Sequence, residues 1–195
     1  MKKEYSYREL IELFEKSIER INGFESEPDE LISLKPDQKS WSVVEIMEHL
    51  VKFNKMYLRF TDRALKKTGS LPTTKRNAFS PRFLAKYFIG FIEPPYKLKI
   101  RTLSPMRPEN SGLNNHQTVI NELKETNQRV IQLITDAEEQ KLDLNRIKGK
   151  NSVFKFSMTL SEFLLMIDTH QRRHFWQAEQ TLQKLSGKSP GSSKK

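Results

Sequence analysis

Two histidines four residues apart, His170 and His174, are the first sign of chemistry in this sequence. They stand between Thr159 and Gln180, where the spacing of apolar residues predicts a helix. Side chains at positions i and i+4 of a helix have Cβ atoms ~5–6 Å apart, so two imidazoles at this spacing can bind one metal ion. The pair alone is weak evidence, because Gln171 stands where the H-E-x-x-H metalloprotease motif has its glutamate.

A third histidine, His49, lies near the edge of the apolar stripe of a second predicted helix. A buried imidazole without a partner is costly, and three neighbouring imidazoles could not all carry a charge. A shared metal ion would remove both difficulties. The fourth histidine, His116, stands at the predicted start of another helix, where a surface or capping role is the better interpretation. The chain has no cysteine, which excludes a thiolate metal site and a catalytic thiol.

Capping boxes fix where the two histidine-bearing helices begin. In a capping box, a serine or threonine caps the helix and a glutamate three residues later returns the hydrogen bond. The pairs Ser42–Glu45 and Thr159–Glu162 both match this pattern. They place one histidine about two turns into its helix and the other two about three to four turns into theirs.

The spacing of apolar residues predicts four long helices in all. Helix 1 covers about 7–24, helix 2 runs from its cap at Ser42 to Gly69, helix 3 covers about 115–137, and helix 4 follows Thr159. More than 40 residues separate helices 2 and 3, whereas the other links are shorter. We therefore predict an all-α four-helix bundle with up-down-down-up order. We expect one domain over residues 1–186 and a disordered tail over 187–195.

The long crossover between helices 2 and 3 is rich in proline and in basic residues. It holds six of the nine prolines, which forbid one continuous helix, and a short extra helix is predicted with Ser80 as cap and Pro81 as its first residue. Residues 66–107 carry ten basic side chains and one acid, so this segment accounts for +9 of a net charge of +10. Such a field attracts anions. We predict that Lys97, Lys99 and Arg101 bind an anionic small molecule.

The aromatic run from Phe79 to Pro95 could insert at a bilayer interface, but packing over the bundle is the favoured interpretation. No recognisable nucleic-acid motif accompanies the positive charge. We therefore expect a small-molecule partner, and neither nucleic acid nor a membrane. The start of the chain has no apolar secretory segment, and no stretch has the ~18 apolar residues that span a bilayer. A cytoplasmic location is the expectation.

Two stretches of the sequence resemble a known family. "KSWSVVEIMEHL", from Lys39 to Leu50, and "HQRRHFWQ", which begins with the first helix-4 histidine, are similar to the two signatures of the DinB-like, or YfiT-like, metalloenzymes. In that family a Trp-Ser element opens helix 2, a histidine follows, and an H-x-x-x-H on helix 4 completes a metal site. The resemblance assigns the ligands to His49, His170 and His174. Many relatives have an acidic residue where this chain has Gln171.

The resemblance implies a four-helix bundle that binds a divalent metal, with zinc, nickel, iron and manganese all open. Family members resemble transferases and isomerases that use low-molecular-weight thiols as co-substrates. We therefore expect a metal-dependent S-transferase or isomerase acting on a small anionic substrate, or a hydrolase, and a homodimer could form. Gln171 and Gln177 are predicted to lie just outside the metal ligands, and no catalytic residue is predicted. Two alternatives stay open: a non-catalytic, stress-related binding bundle, and a basic peripheral membrane or nucleic-acid binder.

Overall fold

The computed structural model describes residues 4–67, 70–95, 102, 104–109, 116–150 and 156–187. In these residues the four long helices are α1 (Tyr7–Glu25), α3 (Val43–Lys67), α5 (His116–Glu139) and α6 (Leu160–Leu185). The two short helices are α2 (Asp29–Ser33) and α4 (Phe83–Ile92), and a 3₁₀ turn covers Ser104–Met106. The four predicted long helices are thus confirmed, and α2 was missed. The predicted tail beyond Gly187 lies outside the described residues.

The predicted capping boxes are present at the two helices that matter for the histidines. At the start of α3, the Ser42 amide donates to Glu45 Oε2 at 3.0 Å and the Glu45 amide donates to Ser42 Oγ at 3.2 Å. Thr159 and Glu162 form the same reciprocal pair at the start of α6. A further box at Ser6 begins α1, and its S-x-x-E signature could have been found in the sequence.

The buried core falls into two clusters, and their members show the direction of each helix. One cluster combines the last turns of α1 and α6 with the first turns of α3 and α5, as in Phe24, Val43, Val119 and Phe175. The other cluster combines the opposite helix ends. Hence α1 and α6 run one way and α3 and α5 the other, which is the up-down-down-up order. Both α1 and α3 pack against α5 and α6.

The crossover contains the predicted short helix, α4, but the prediction of its first residue was wrong. Arg82 is its N-cap, and the helix starts at Phe83, two residues later than expected. The reason is that Glu162 on α6 binds Arg82. The Arg82 amide donates to Glu162 Oε1 at 2.9 Å, and the Arg82 guanidinium donates to both carboxylate oxygens. These bonds hold the chain extended until α4 can begin.

The expectation that the aromatic run packs over the bundle was wrong for one face of α4. Its inner residues, Ala85, Ile89 and Ile92, are buried. Phe83 and Tyr87, however, are 80% and 74% exposed. None of the helices in the described part of the chain combines the length and apolar character that crossing a bilayer requires.

The polar loop before α6 contains two short strands that the all-α prediction missed. β1 (Lys148–Lys150) pairs antiparallel with β2 (Ser157–Thr159). Gly149 packs so closely that an added Cβ would lie 2.9 Å from Phe163 Cε2 and 3.0 Å from Ala64 Cβ. The strand pair thus closes the end of the bundle where α3 ends and α6 begins.

We predict that Gly149→Ala destabilises the fold by about 1–3 kcal/mol, because the added methyl group overpacks this junction. The matched control is Gly90→Ala in α4, where nothing lies within 4 Å of an added Cβ. That substitution should raise the free energy of unfolding by roughly 0.5–1 kcal/mol, since alanine favours a helix over glycine. Urea denaturation measures both. Equal stability of Gly149→Ala and the parent chain would contradict the packing argument.

Candidate metal centre

The structure brings the three predicted histidines together between α3 and α6. One ring nitrogen from each of His49, His170 and His174 lies within 4.8 Å of the others. The three pairs of ring centroids are 5.1, 4.6 and 4.5 Å apart. Two nitrogens bound to one zinc ion are at most about 4.2 Å apart, so a small movement of the rings brings all three within reach of one ion.

Hydrogen bonds fix which nitrogen of two rings is available. His49 Nδ1 lies 2.6 Å from the carbonyl oxygen of Met106, and His174 Nδ1 lies 2.9 Å from Gln177 Oε1. Both oxygens can only accept, so each Nδ1 carries the proton and donates it. Each Nε2 then keeps its lone pair, as a metal ligand requires.

The third ring has a buried nitrogen without a partner. In the described part of the chain, His170 Nδ1 makes no hydrogen bond. Its ring stacks on Phe53, with centroids 3.6 Å apart and planes 8° from parallel. A buried polar atom left unsatisfied costs about 1–3 kcal/mol. This orphaned nitrogen, beside two oriented imidazoles, fits a site that accepts a divalent cation.

Burial keeps all three imidazoles neutral. It is the largest cause of the lowered pKa of His49, where the hydrogen bond to Met106 opposes it. Burial and the neighbouring histidines hold the pKa values of His170 and His174 well below the ordinary 6.5. At neutral pH the rings are therefore uncharged, which is the form that binds a metal.

A clamp on α3 holds the crossover against the site. Lys52 Nζ donates to the Arg107 carbonyl at 2.8 Å and to Glu109 Oε1 at 2.9 Å. The Glu109 amide donates to Glu48 Oε1 at 2.9 Å. Glu48 and Lys52 flank His49 on the same helix, so they hold in place the carbonyl that His49 contacts. The clamp could not be predicted from the sequence, because two of its three contacts are with backbone atoms of the crossover and are therefore independent of residue type.

Of the other residues considered in the sequence, some contact the three-histidine group and some do not. Gln177 contacts a histidine of the group, as described above. Gln171 instead donates to Asn127 Oδ1 on α5 at 3.0 Å, and its own Oε1 is buried without a hydrogen-bond partner in the described residues. His116 lies outside the group, with its Nε2 3.1 Å from Asp29 Oδ1. The predicted anion-binding residues Lys97, Lys99 and Arg101 lie outside the described residues.

A family model of the DinB superfamily matches residues 7–178. The chain belongs to the DinB superfamily. Among solved structures, this DinB-superfamily chain is similar to YfiT from Bacillus subtilis, described as a probable metal-dependent hydrolase with an unusual four-helix bundle topology. The likeness has a TM-score of 0.56 at 16% identity and covers 94% of this chain and 89% of YfiT, so it shows a shared fold. No curated protein matches the chain.

The two glutamines offer a test of what supports the centre. We predict that Gln177→Leu lowers metal affinity by about 10–100-fold, because the Nδ1 proton of His174 loses its acceptor. Gln171→Leu is the matched control, since that amide bonds to Asn127 on α5. It should change stability and leave metal affinity within about threefold of the parent. Competition with a metal-binding dye measures both, and equal losses of affinity would contradict the distinction.

Proposed function

We propose that this DinB-superfamily protein is a divalent-metal-dependent enzyme whose cation is held by His49, His170 and His174. The observation that carries the proposal is the convergence of three uncharged imidazoles, with ring nitrogens within 4.8 Å of one another. Three protein ligands leave further coordination positions open, which is typical of catalytic rather than structural sites. YfiT's description as a probable metal-dependent hydrolase is consistent with this class.

The chain's own residues would orient and shield this centre. Met106 and Gln177 accept from two of the rings and so direct their Nε2 atoms. Phe53 covers one face of His170 and keeps water from it. A divalent cation would supply Lewis acidity, which lowers the pKa of a thiol or water ligand. Imidazole ligands suit zinc, nickel and iron, and manganese is also open.

The proposed reaction is transfer or isomerisation with a small anionic thiol as co-substrate, in the cytoplasm. Two features support it: the resemblance to thiol-using relatives, and the basic crossover, which passes the site at Met106 and attracts carboxylates. Hydrolysis is the second candidate, favoured by the likeness to YfiT. Metal-dependent turnover with and without a low-molecular-weight thiol separates these reactions from each other and from a non-catalytic binding protein.

Metal analysis of the purified protein tests the centre itself. We expect about one divalent ion per chain in the parent and almost none in a His49→Ala, His170→Ala, His174→Ala variant, because all three nitrogens act on one ion. His116→Ala is the matched control and should keep its metal. Circular dichroism verifies that each variant is helical. Equal metal content in the parent and the triple variant would defeat the proposal.

A second prediction concerns the anionic substrate. Replacing Lys97, Lys99 and Arg101 by glutamine should raise KM for an anionic thiol severalfold with little change in kcat, because the lost charges act on binding. The matched control replaces three cations outside the basic segment, Lys39, Lys148 and Lys150. Steady-state kinetics of both variants decides: an unchanged KM in the first variant, or an equal rise in both, would contradict a specific anion-binding role.

A further inference from the structure

Helix α4 exposes a set of large apolar side chains that the bundle does not cover. This outer face consists of Phe83, Leu84, Tyr87 and Phe91, whose exposed fractions are 80%, 79%, 74% and 48%. The opposite side of the same helix is buried against the bundle. A helix that is apolar all round is ordinarily covered all round, and an exposed apolar patch marks an interaction site.

Exposed basic side chains lie on α4 and in the segment that leads into it. Lys86 on the helix and Lys75 and Arg76 in the segment before it are exposed. Residues 66–95 contain six cations and one acid, a net charge of +5. That acid, Glu93, pairs with Arg172 at 2.7 Å.

More cations lie at the same end of the bundle. Arg82, just before α4, binds the first turn of α6, and β1 packs against that turn and the end of α3. The last turn of α3 brings Lys66 and Lys67, and β1 brings Lys148 and Lys150, all exposed. The apolar outer face thus shares its end of the bundle with exposed cations of α3, of β1 and of the segment before α4, and with the exposed acids Glu138 and Glu139 of α5.

We propose that the outer face of α4 docks the protein on an anionic membrane surface. Amphipathic helices with aromatic and leucine residues on one side and cations beside them lie in the headgroup region, with the apolar side chains ~5–10 Å deep. The phosphates of anionic lipids would neutralise the surrounding lysines and arginines. Two copies of this chain meeting face to face would instead oppose cations to cations, which is unfavourable. The proposal goes beyond the metal-dependent activity and does not depend on it.

Vesicle co-sedimentation tests the docking surface. The probes are vesicles of phosphatidylcholine alone and of phosphatidylcholine mixed with phosphatidylglycerol, at about 0.1 M and about 1 M salt. We expect binding to the mixed vesicles at low salt, weaker binding at high salt, and little binding to phosphatidylcholine alone. A Phe83→Ser, Tyr87→Ser variant should bind about tenfold more weakly or worse, because the inserted apolar area is lost.

Matched controls come from the other end of the bundle. Leu34 is 52% exposed there, so Leu34→Ser removes an exposed apolar side chain without touching α4 and should bind like the parent. Lys75→Gln with Lys86→Gln should weaken binding roughly tenfold or more, whereas Lys39→Gln should change it little. Leu84→Ser with Phe91→Ser is a second variant of the outer face, in case the first is less helical by circular dichroism.

Three results would overturn the proposal. The first is no binding to the mixed vesicles at low salt. The second is binding that is unchanged in both outer-face variants, since adsorption would then be electrostatic alone. The third is a dimer in solution that dissociates in an outer-face variant, because the face would then join two copies of the chain.

Discussion

The need to keep three close imidazoles uncharged constrains the rest of this structure. A charge on one ring would oppose a charge on its neighbours, and burial disfavours the charged form of each. Buried rings must come from helices that already face the core, so α3 and α6 supply them. Because these helices run in opposite directions, an early turn of α3 meets the middle of α6. The capping boxes at Ser42 and Thr159 set that register, since each fixes the first residue of its helix.

The up-down-down-up order makes the crossover part of the site. Since α3 and α5 run in parallel, the chain between them must return along the length of the bundle. On its way it places the Met106 carbonyl against His49 and is held there by Lys52. The same crossover carries α4 and most of the positive charge. One topological requirement therefore brings an apolar helix, a basic stretch of sequence and the carbonyl that orients His49 into a single connection.

The parts that local pattern encodes could be predicted from the sequence: four long helices, two capping boxes and three histidines on converging faces. The tautomer of His49 could not be predicted, because the hydrogen bond that fixes it goes to the backbone carbonyl of residue 106. Any residue type at that position would offer the same carbonyl. The strands at Lys148–Lys150 and Ser157–Thr159 are three residues each, too short for an alternating pattern. Exposure of Phe83 escaped prediction as well, since burial of an aromatic residue depends on whether a distant part of the chain covers it.

Glu162 links α6, which carries His170 and His174, to α4. Burial alone would raise the pKa of this carboxyl, but hydrogen bonds from Arg82 and from the Thr159 amide outweigh burial and hold it below its ordinary value. The side chain therefore stays ionised at neutral pH although it is fully buried. As the N3 residue of a capping box it fixes where α6 starts, and as the acceptor for Arg82 it fixes where α4 starts. A single buried carboxylate thus sets both the position of His170 and His174 along the bundle and the placement of the exposed aromatic face of α4. The histidine group and this aromatic face therefore depend on the same residue.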